Sequence, residues 1–413
     1  MTAAALLSAA LLLAPSEAAG DPWLPEDVAR RVRRNPPLGP PPADPTNRWA
    51  DSEAAARLGH RIFFDRRLSA SGTVSCASCH DPAHGFADPR PIAVGEGRGN
   101  RHAMSVLNAA HQRWLTWDGR ADTLWGQALQ PFEAPAELGV PRRRVVEAVS
   151  ADPVLADAYR AAFGAPPPAP GAPDADVDAA FAMVGKALAA YERRLQSGPS
   201  AYDRWWSRRE AGDPGADAEL REDQRRGLVL FFGKANCFQC HHGPLFSDGE
   251  FHMIGAPTAD GGPPRDPGRY AVVERVRDDP FNAAGPHSDD RRGRQAAISA
   301  GLVNSPERWG EFRTPSLRNA ALTPPYMHQG QLRSLTDVVR FYSTLEGATS
   351  LDHHREQVLR RLDLSPGEQA DLVAFVDALT GTPPAPPWGT APAPAADSPG
   401  NAPGGRNAPV PER

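Results

Sequence analysis

The stretch SCASCH at residues 75–80, running on as DPAHGFAD to residue 88, decides how the rest of the chain reads. The 413 residues include only four cysteines, and two of them stand three apart directly before a histidine. The other two repeat the arrangement in NCFQCHHGPLFSD at 236–248. At these cysteine and histidine abundances a cysteine followed by x-x-C-H arises by chance roughly three times in ten thousand, so two occurrences carry meaning. C-x-x-C-H is the attachment site of c-type haem: both thiols add to the porphyrin vinyl groups and the histidine becomes an iron ligand. Cys76, Cys79 and His80 thus form one site, and Cys237, Cys240 and His241 a second. A tetrahedral zinc site made of the four cysteines is the alternative, and it leaves both histidines without a role. Two disulfides, the ordinary expectation for four cysteines in an exported chain, do not account for the spacing either.

The repetition extends outward from the cysteines. RLGHRIFF at 57–64 resembles RRGLVLFF at 225–232, with Gly59 and Gly227 each four residues before a Phe-Phe pair. Phe86 and Asp88 follow His80 much as Phe246 and Asp248 follow His241. Each unit reads as an amphipathic helix, a short turn and a haem loop, as duplicated domains would. Ser52 is placed to cap the first helix, with Leu58, Ile62 and Phe63 on its buried side. Near the C-terminus, Leu335, Val338, Val339, Tyr342 and Leu345 form one apolar stripe. The last helix opens on a Ser365–Glu368 capping box with Pro366 in its first turn and is expected to stop at Gly381. The fold class is therefore mainly α: two cytochrome c-like haem domains in tandem, with long loops.

Composition bounds the remainder. A hydrophobic content of 40% supports ordinary cores, and a net charge of −5 with both signs interspersed gives no basic stripe, so nucleic acid is excluded as a partner class. Residues 1–19, with an apolar run and small residues near Ala18 and Ala19, read as a signal peptide and place the mature protein in the periplasm. No other segment has the ~18 apolar residues needed for a membrane span. The expected organisation is an N-terminal arm at 20–48, a first haem domain at 49–200, a second at 201–382 and a disordered Pro-rich tail at 383–413. Proline-rich 36–45 and 165–173 read as arm and linker, and the Gly/Pro/Asp/Arg-rich 255–295 as a long loop of the second unit.

WDGRADTLWGQALQPFEAPAELG (117–139) and FRTPSLRNAALTPPYMHQGQLRSLTDVVRFY (312–342), taken with the two C-x-x-C-H sites, resemble the bacterial dihaem cytochrome c peroxidase and MauG superfamily over roughly residues 50–380. The resemblance implies an enzyme that reduces hydrogen peroxide at the first haem with electrons from a small cytochrome c or a cupredoxin, relayed by the second haem. Trp117 takes the place of the family's inter-haem tryptophan, and Glu137, twenty residues on, that of its distal glutamate, an acid/base suited to moving a proton across the O–O bond. Tyr342 aligns with the distal ligand of the second haem, a tyrosine in the MauG type and a methionine in ordinary peroxidases; Met327 is the other candidate, and Tyr342 as a packed core residue is the plain alternative. His328 is assigned to the haem surroundings. Where the family carries a mobile histidine that closes the first haem, this chain has GEGRGN (95–100) with Glu96, which implies an open first iron; His84 and His102 are the nearby candidates for a distal ligand, with a structural or exposed role as the plain alternative. The family's calcium maps to the carbonyls of Thr323 and Pro325, with His102 in place of an asparagine. Two further readings follow: a MauG-like enzyme oxidising side chains of a partner protein, and a non-enzymatic dihaem electron carrier.

Overall fold

The computed structural model describes residues 23–258, 262, 264–349 and 359–393. The proposed signal peptide at 1–19 lies outside them. Among the described residues the helices are α1 (Glu26–Val32), α2 (Glu53–Phe64), α3 (Leu124–Glu133), α4 (Arg142–Ala151), α5 (Pro153–Phe163), α6 (Asp174–Glu192), α7 (Ala201–Glu210), α8 (Glu222–Phe232), α9 (Val273–Asp278), α10 (Arg294–Ala300), α11 (Leu335–Thr344) and α12 (Pro366–Asp377). The only described sheet is a two-residue antiparallel pair, Phe251–His252 with Phe312–Arg313. The protein is thus mainly helical. No described helix is long and apolar enough to cross a membrane.

Two hydrophobic cores organise these helices. In the first, α2 and α3 pack on α6, which is buried almost all round, and Trp125, Phe63, Phe132 and Tyr191 fill the centre. In the second, α8 packs on α12, and Tyr202, Trp205, Phe231, Phe246 and Phe375 interlock. The Gly59 and Gly227 repeat has one mechanical cause. A Cβ on Gly59 would lie 2.0 Å from the Ala187 carbonyl oxygen of α6, and one on Gly227 would lie 1.9 Å from the Asp371 carbonyl oxygen of α12. In both cores glycine is what lets two helix backbones touch. Ser52 caps α2 by accepting from Ala55 N, and the Ser365–Glu368 capping box opens α12 as expected. α12 ends at Asp377, so Gly381 lies beyond the stop; its Cβ position is 2.1 Å from the Gly198 carbonyl oxygen, and close approach explains that glycine. Leu345, expected on the α11 stripe, is the left-handed cap just past the helix.

The chain crosses between the cores more often than two tandem domains require. The N-terminal arm belongs to the second core: Leu24, Val28 and Val32 are buried there, Trp23 Nε1 donates to Asp217 at 2.8 Å, and the Asn35 carbonyl accepts from Tyr202 Oη at 2.8 Å. At the other end, the tail expected to be disordered from 383 corrects to a packed strap as far as residue 393. Trp388 is buried in the first core, its carbonyl accepts from Tyr191 Oη at 2.9 Å, and the Thr390 carbonyl lies 2.7 Å from His60 Nε2. Six prolines among residues 383–397 argue for disorder by composition, but one tryptophan entering a fitted slot outweighs them locally. Residues 394–413 lie outside the described set.

The stretch 255–295, expected to be a loop, also corrects. It contains α9, and it crosses to the first core, where Phe281 is buried and Asp122 accepts from Ala283 N at 3.0 Å and from Ser299 Oγ at 2.5 Å. α9 buries only Val273 and Val276, too few residues to leave a periodic signal in the sequence.

Candidate dihaem site

The two C-x-x-C-H segments fold alike. Cys76–Ser78 and Cys237–Gln239 each form one 3₁₀ turn, and the histidine that follows donates its backbone N–H to the carbonyl of the first cysteine at 2.9 Å in both. His80 Nδ1 lies 3.2 Å from the Phe86 carbonyl oxygen and His241 Nδ1 lies 2.9 Å from that of Phe246. A carbonyl only accepts, so Nδ1 carries the proton in both rings and Nε2 is left with its lone pair for a metal. Burial lowers the pKa of both imidazoles, favouring the neutral form that ligation needs. Phe86 and Phe246 reach these positions with φ of 58° and 51°, a left-handed conformation unusual for phenylalanine and repeated at the same place in each unit.

All four cysteines are free thiols, and burial raises the pKa of Cys79 to about 11 and of Cys237 to about 12. The zinc alternative fails on geometry. Among the described residues the only cluster of three candidate ligands is Cys240, Asp248 and His252, so the four sulfurs do not converge. Two thiols and an adjacent imidazole with a free Nε2 make a donor set that fits haem at each site, and an apolar cavity lies beside the second pair.

The repeat reaches further than the sequence reading found. SVLNAAH at 105–111 and SLRNAAL at 316–322 adopt one structure. Asn108 and Asn319, both left-handed with φ of 58° and 60°, open matching 3₁₀ turns. Ser105 Oγ donates to the Gly85 carbonyl at 2.6 Å and Ser316 Oγ to the Leu245 carbonyl at 2.7 Å, which ties each turn to its own haem loop. Bridges Leu115–Ala121 and Tyr326–Leu332 follow, and Thr123 and Ser334 cap α3 and α11. The offset is constant: 316 − 105, 326 − 115 and 334 − 123 all equal 211. By that offset Trp117 corresponds to His328 and Pro131 to Tyr342.

The predicted residues fall into place around this frame. A cavity of about 250 Å³ beside Cys237, Cys240 and His241 is also lined by Tyr342, Met327, Trp117, Thr323, Pro325 and His102. Tyr342 and Met327, the rival ligands, both face it. The Tyr342 phenol is half-buried on the cavity wall, and desolvation there raises its pKa. Trp117 Nε1 donates to the His102 carbonyl at 2.9 Å, and its ring meets His328, its repeat counterpart, edge-on at 6.5 Å. His328 stacks on Phe312 at 3.9 Å, and burial lowers its pKa to about 4. Arg313, missed in the sequence, is buried at the cavity wall, where it donates to the Thr116 and Thr314 carbonyls.

On the first site, Glu137 lies within electrostatic reach of both Cys76 and Cys79, and Arg120 Nη2 approaches its carboxylate at 3.4 Å. The 95–99 loop seats its backbone against this residue: Glu96 N donates to the Glu137 carbonyl at 2.8 Å, and a Cβ on Gly95 would lie 2.3 Å from that oxygen. The Glu96 carboxylate is taken up by Ser71 N and Oγ at 2.9 and 2.7 Å. His84 is exposed and 2.9 Å from Asp81; His102 Nδ1 donates to the Arg90 carbonyl at 3.0 Å. Also absent from the sequence reading is Glu192, in α6 beside Cys76. Burial raises its pKa to about 8, and its Oε2 has no hydrogen-bond partner. No motif marks it, because a glutamate at a helix end reads as surface.

A family model described as dihaem cytochrome c peroxidase matches residues 53–211. The methylamine utilization protein MauG of Methylorubrum extorquens is 35% identical over 86% of this chain and 84% of that protein. The cytochrome-c peroxidase IdrP1 of Pseudomonas sp. strain SCT is 35% identical over 85% and 88%, and the cytochrome c551 peroxidase of Pseudomonas aeruginosa 30% over 81% and 80%. Among solved structures, a MauG-like protein associated with microbial copper homeostasis is 28% identical and superposes with a TM-score of 0.66 over 86% of this chain and 97% of that one. The diheme peroxidase BthA of Burkholderia thailandensis, 24% identical with a TM-score of 0.62 over 84% and 91%, shares the fold. The site and fold define a haem oxidoreductase. The chain belongs to the dihaem cytochrome c peroxidase family and is a peroxidase-type enzyme; the family implies two haems, peroxide as substrate and a redox protein as donor.

Proposed function

We propose that two haem c groups sit in tandem cytochrome c-like units, 49–200 and 201–382, and that hydrogen peroxide is reduced to water at the first. Cys76 with Cys79, and Cys237 with Cys240, would carry the thioethers, and His80 and His241 would hold the irons through Nε2. Haem supplies the metal at which the O–O bond breaks. Glu137 takes the proton from the near oxygen of peroxide and returns it to the far one, which leaves as water. Arg120 keeps that carboxylate aimed, itself held by Gln130 at 3.1 Å. Trp117 passes electrons between the sites. Tyr342 is preferred over Met327 at the second metal because the resemblance aligns it with the family's distal ligand and its side chain lines the cavity beside His241. The donor would be a small cytochrome c or a cupredoxin, in the periplasm, where residues 1–19 would direct the chain.

One observation carries the asymmetry. At the position where the second unit offers the Tyr342 oxygen, the first has Pro131, which has no donor atom. The first metal therefore keeps a face for peroxide and the second does not. Resting spectra of wild type, Tyr342→Phe and Glu137→Gln test this reading. Tyr342→Phe should change the low-spin haem alone, and Glu137→Gln should leave both spectra while abolishing rapid peroxide reaction; a first haem that is low-spin in wild type would overturn it.

Tyr342 also favours a second reading, the MauG-like oxidation of a partner protein's side chains, because an anionic phenolate eases access to higher oxidation states than a thioether does. Rapid peroxide turnover with a reduced small cytochrome c supports the first reading; slow turnover with oxidation of a co-expressed protein supports the second. Calcium stays outside this proposal. Thr323 and Pro325 offer carbonyls, but His102 puts an imidazole where a hard cation selects oxygen.

A further inference from the structure

We propose that Trp388 is the terminus of an electron-hole escape route from the first haem, separate from Trp117. This rests on the peroxidase reading above. The route is a ladder of rings on the His80 side: Phe63 lies 6.4 Å from His80, Tyr191 lies 5.2 Å from Phe63, and Trp388 lies 6.2 Å from Tyr191. His60 makes a parallel rung, stacked at 4.8 Å on Tyr191 and 5.5 Å from Trp388. Electron transfer falls off steeply with distance but less so through packed rings and hydrogen bonds than across a gap, so these rings form a tunnelling bridge and need not themselves be oxidised.

Chemistry selects the terminus. Phenylalanine is too hard to oxidise to hold a hole. Tyrosine holds one only if its proton leaves, and Tyr191 Oη is bonded to the Trp388 carbonyl, which is not a base, in a core position where burial raises its pKa further. Burial likewise lowers the His60 pKa and keeps that ring neutral. An indole loses an electron without first losing a proton. Trp388 sits where the core meets the exterior: its ring lies beneath Arg194, whose side chain is 32% exposed and pairs with Glu53 at 3.8 Å, and among the described residues no protein acceptor is bonded to its indole N–H.

The balance is simple. Peroxide cleavage takes two electrons from the enzyme; with no donor bound both oxidising equivalents would stay on it, one at the first haem and the other at the second, reached through Trp117. One electron moves from the Trp388 indole through Tyr191 and Phe63 to fill the one at the first haem, and the indole radical cation then releases its N–H proton to water. The strap that a Pro-rich composition disguises thus places an expendable reductant where a solution reductant can restore it.

The test treats full-length holoprotein with peroxide and no donor, comparing wild type, Trp388→Phe and Tyr191→Phe. Rapid-freeze EPR with ring-deuterated tryptophan reports the radical, and the optical spectrum reports the haem. The expected result is a tryptophan radical in wild type that is lost in Trp388→Phe and formed more slowly in Tyr191→Phe. Haem bleaching under repeated peroxide should be faster in both variants, and steady-state turnover with reduced cytochrome c should be unchanged. A normal optical response with a radical that Trp388→Phe leaves unaltered overturns this proposal alone. No optical response of wild-type haem to peroxide overturns the peroxidase reading and the escape route together.

Discussion

The two C-x-x-C-H units repeat one local frame and differ in several of the side chains it carries. Each has a glycine that lets two helices touch, a histidine whose Nδ1 is tied to a phenylalanine carbonyl, and a left-handed asparagine opening a turn that a serine binds to the haem loop. Against that constancy, proline in one unit stands opposite tyrosine in the other, tryptophan opposite histidine, and a carboxylate, Glu137, lies near the thiols of the first site. In the proposed reading a duplicated frame would hold the cofactors, and the substitutions on equivalent loops would make one site reactive and the other a relay.

Changing the chemistry of one unit should have the largest effect. Glu137→Gln keeps shape and removes the base, and loss of general acid–base catalysis of this kind is worth ~10²–10⁴ in rate. Stopped-flow peroxide kinetics should show that loss with midpoint potentials of both haems unmoved; a loss below tenfold would mean the carboxylate does not act on peroxide.

The shared frame can be attacked equally in both halves. Gly59→Ala and Gly227→Ala each drive a methyl into a helix carbonyl, and overpacking of this sort costs ~1–3 kcal/mol, here toward the upper end because backbone cannot swing aside. Thermal melts should fall by similar amounts for the two variants. A large fall for one and none for the other would show that the cores do not depend on the same contact.

A smaller, pH-dependent effect separates the units through Glu192, for which no second-unit counterpart is buried with a free oxygen among the described residues. Its folded pKa of about 8 lies above the ordinary glutamate value because of burial. The folded state therefore binds a proton that the unfolded chain has released, and stability falls as pH rises from about 4.5 toward about 8. Glu192→Gln should remove this fall, so the variant gains on wild type as pH rises through that window. Parallel melting curves across the window would place a partner on the carboxylate. The smallest effect is expected from metal removal: a chelator such as EDTA should leave both haem spectra and turnover unchanged, and lost activity restored by calcium would reinstate the ion at Thr323 and Pro325.

Legibility in the sequence followed a physical division. The family was readable because its haem-attachment pattern sets two thiols and an imidazole at fixed spacing, and the helix starts at Ser52 and Ser365 were readable because capping is local. Trp117, Glu137 and Tyr342 came from motif resemblance, and their surroundings came only from the structure. The second repeat, at 105–111 and 316–322, was present in the letters but is carried by backbone conformation more than by identity.

By itself the sequence determined the family, with the two haems it implies, and that the chain is mainly helical, because those properties depend on neighbours a few residues apart. Tertiary structure alone decided that the ends of the described chain cross between the cores, that Trp388 is built into the first, and that Glu192 is buried beside Cys76. These depend on burial and on contacts between residues far apart in the chain, and such contacts leave no periodic or local trace for a sequence to show.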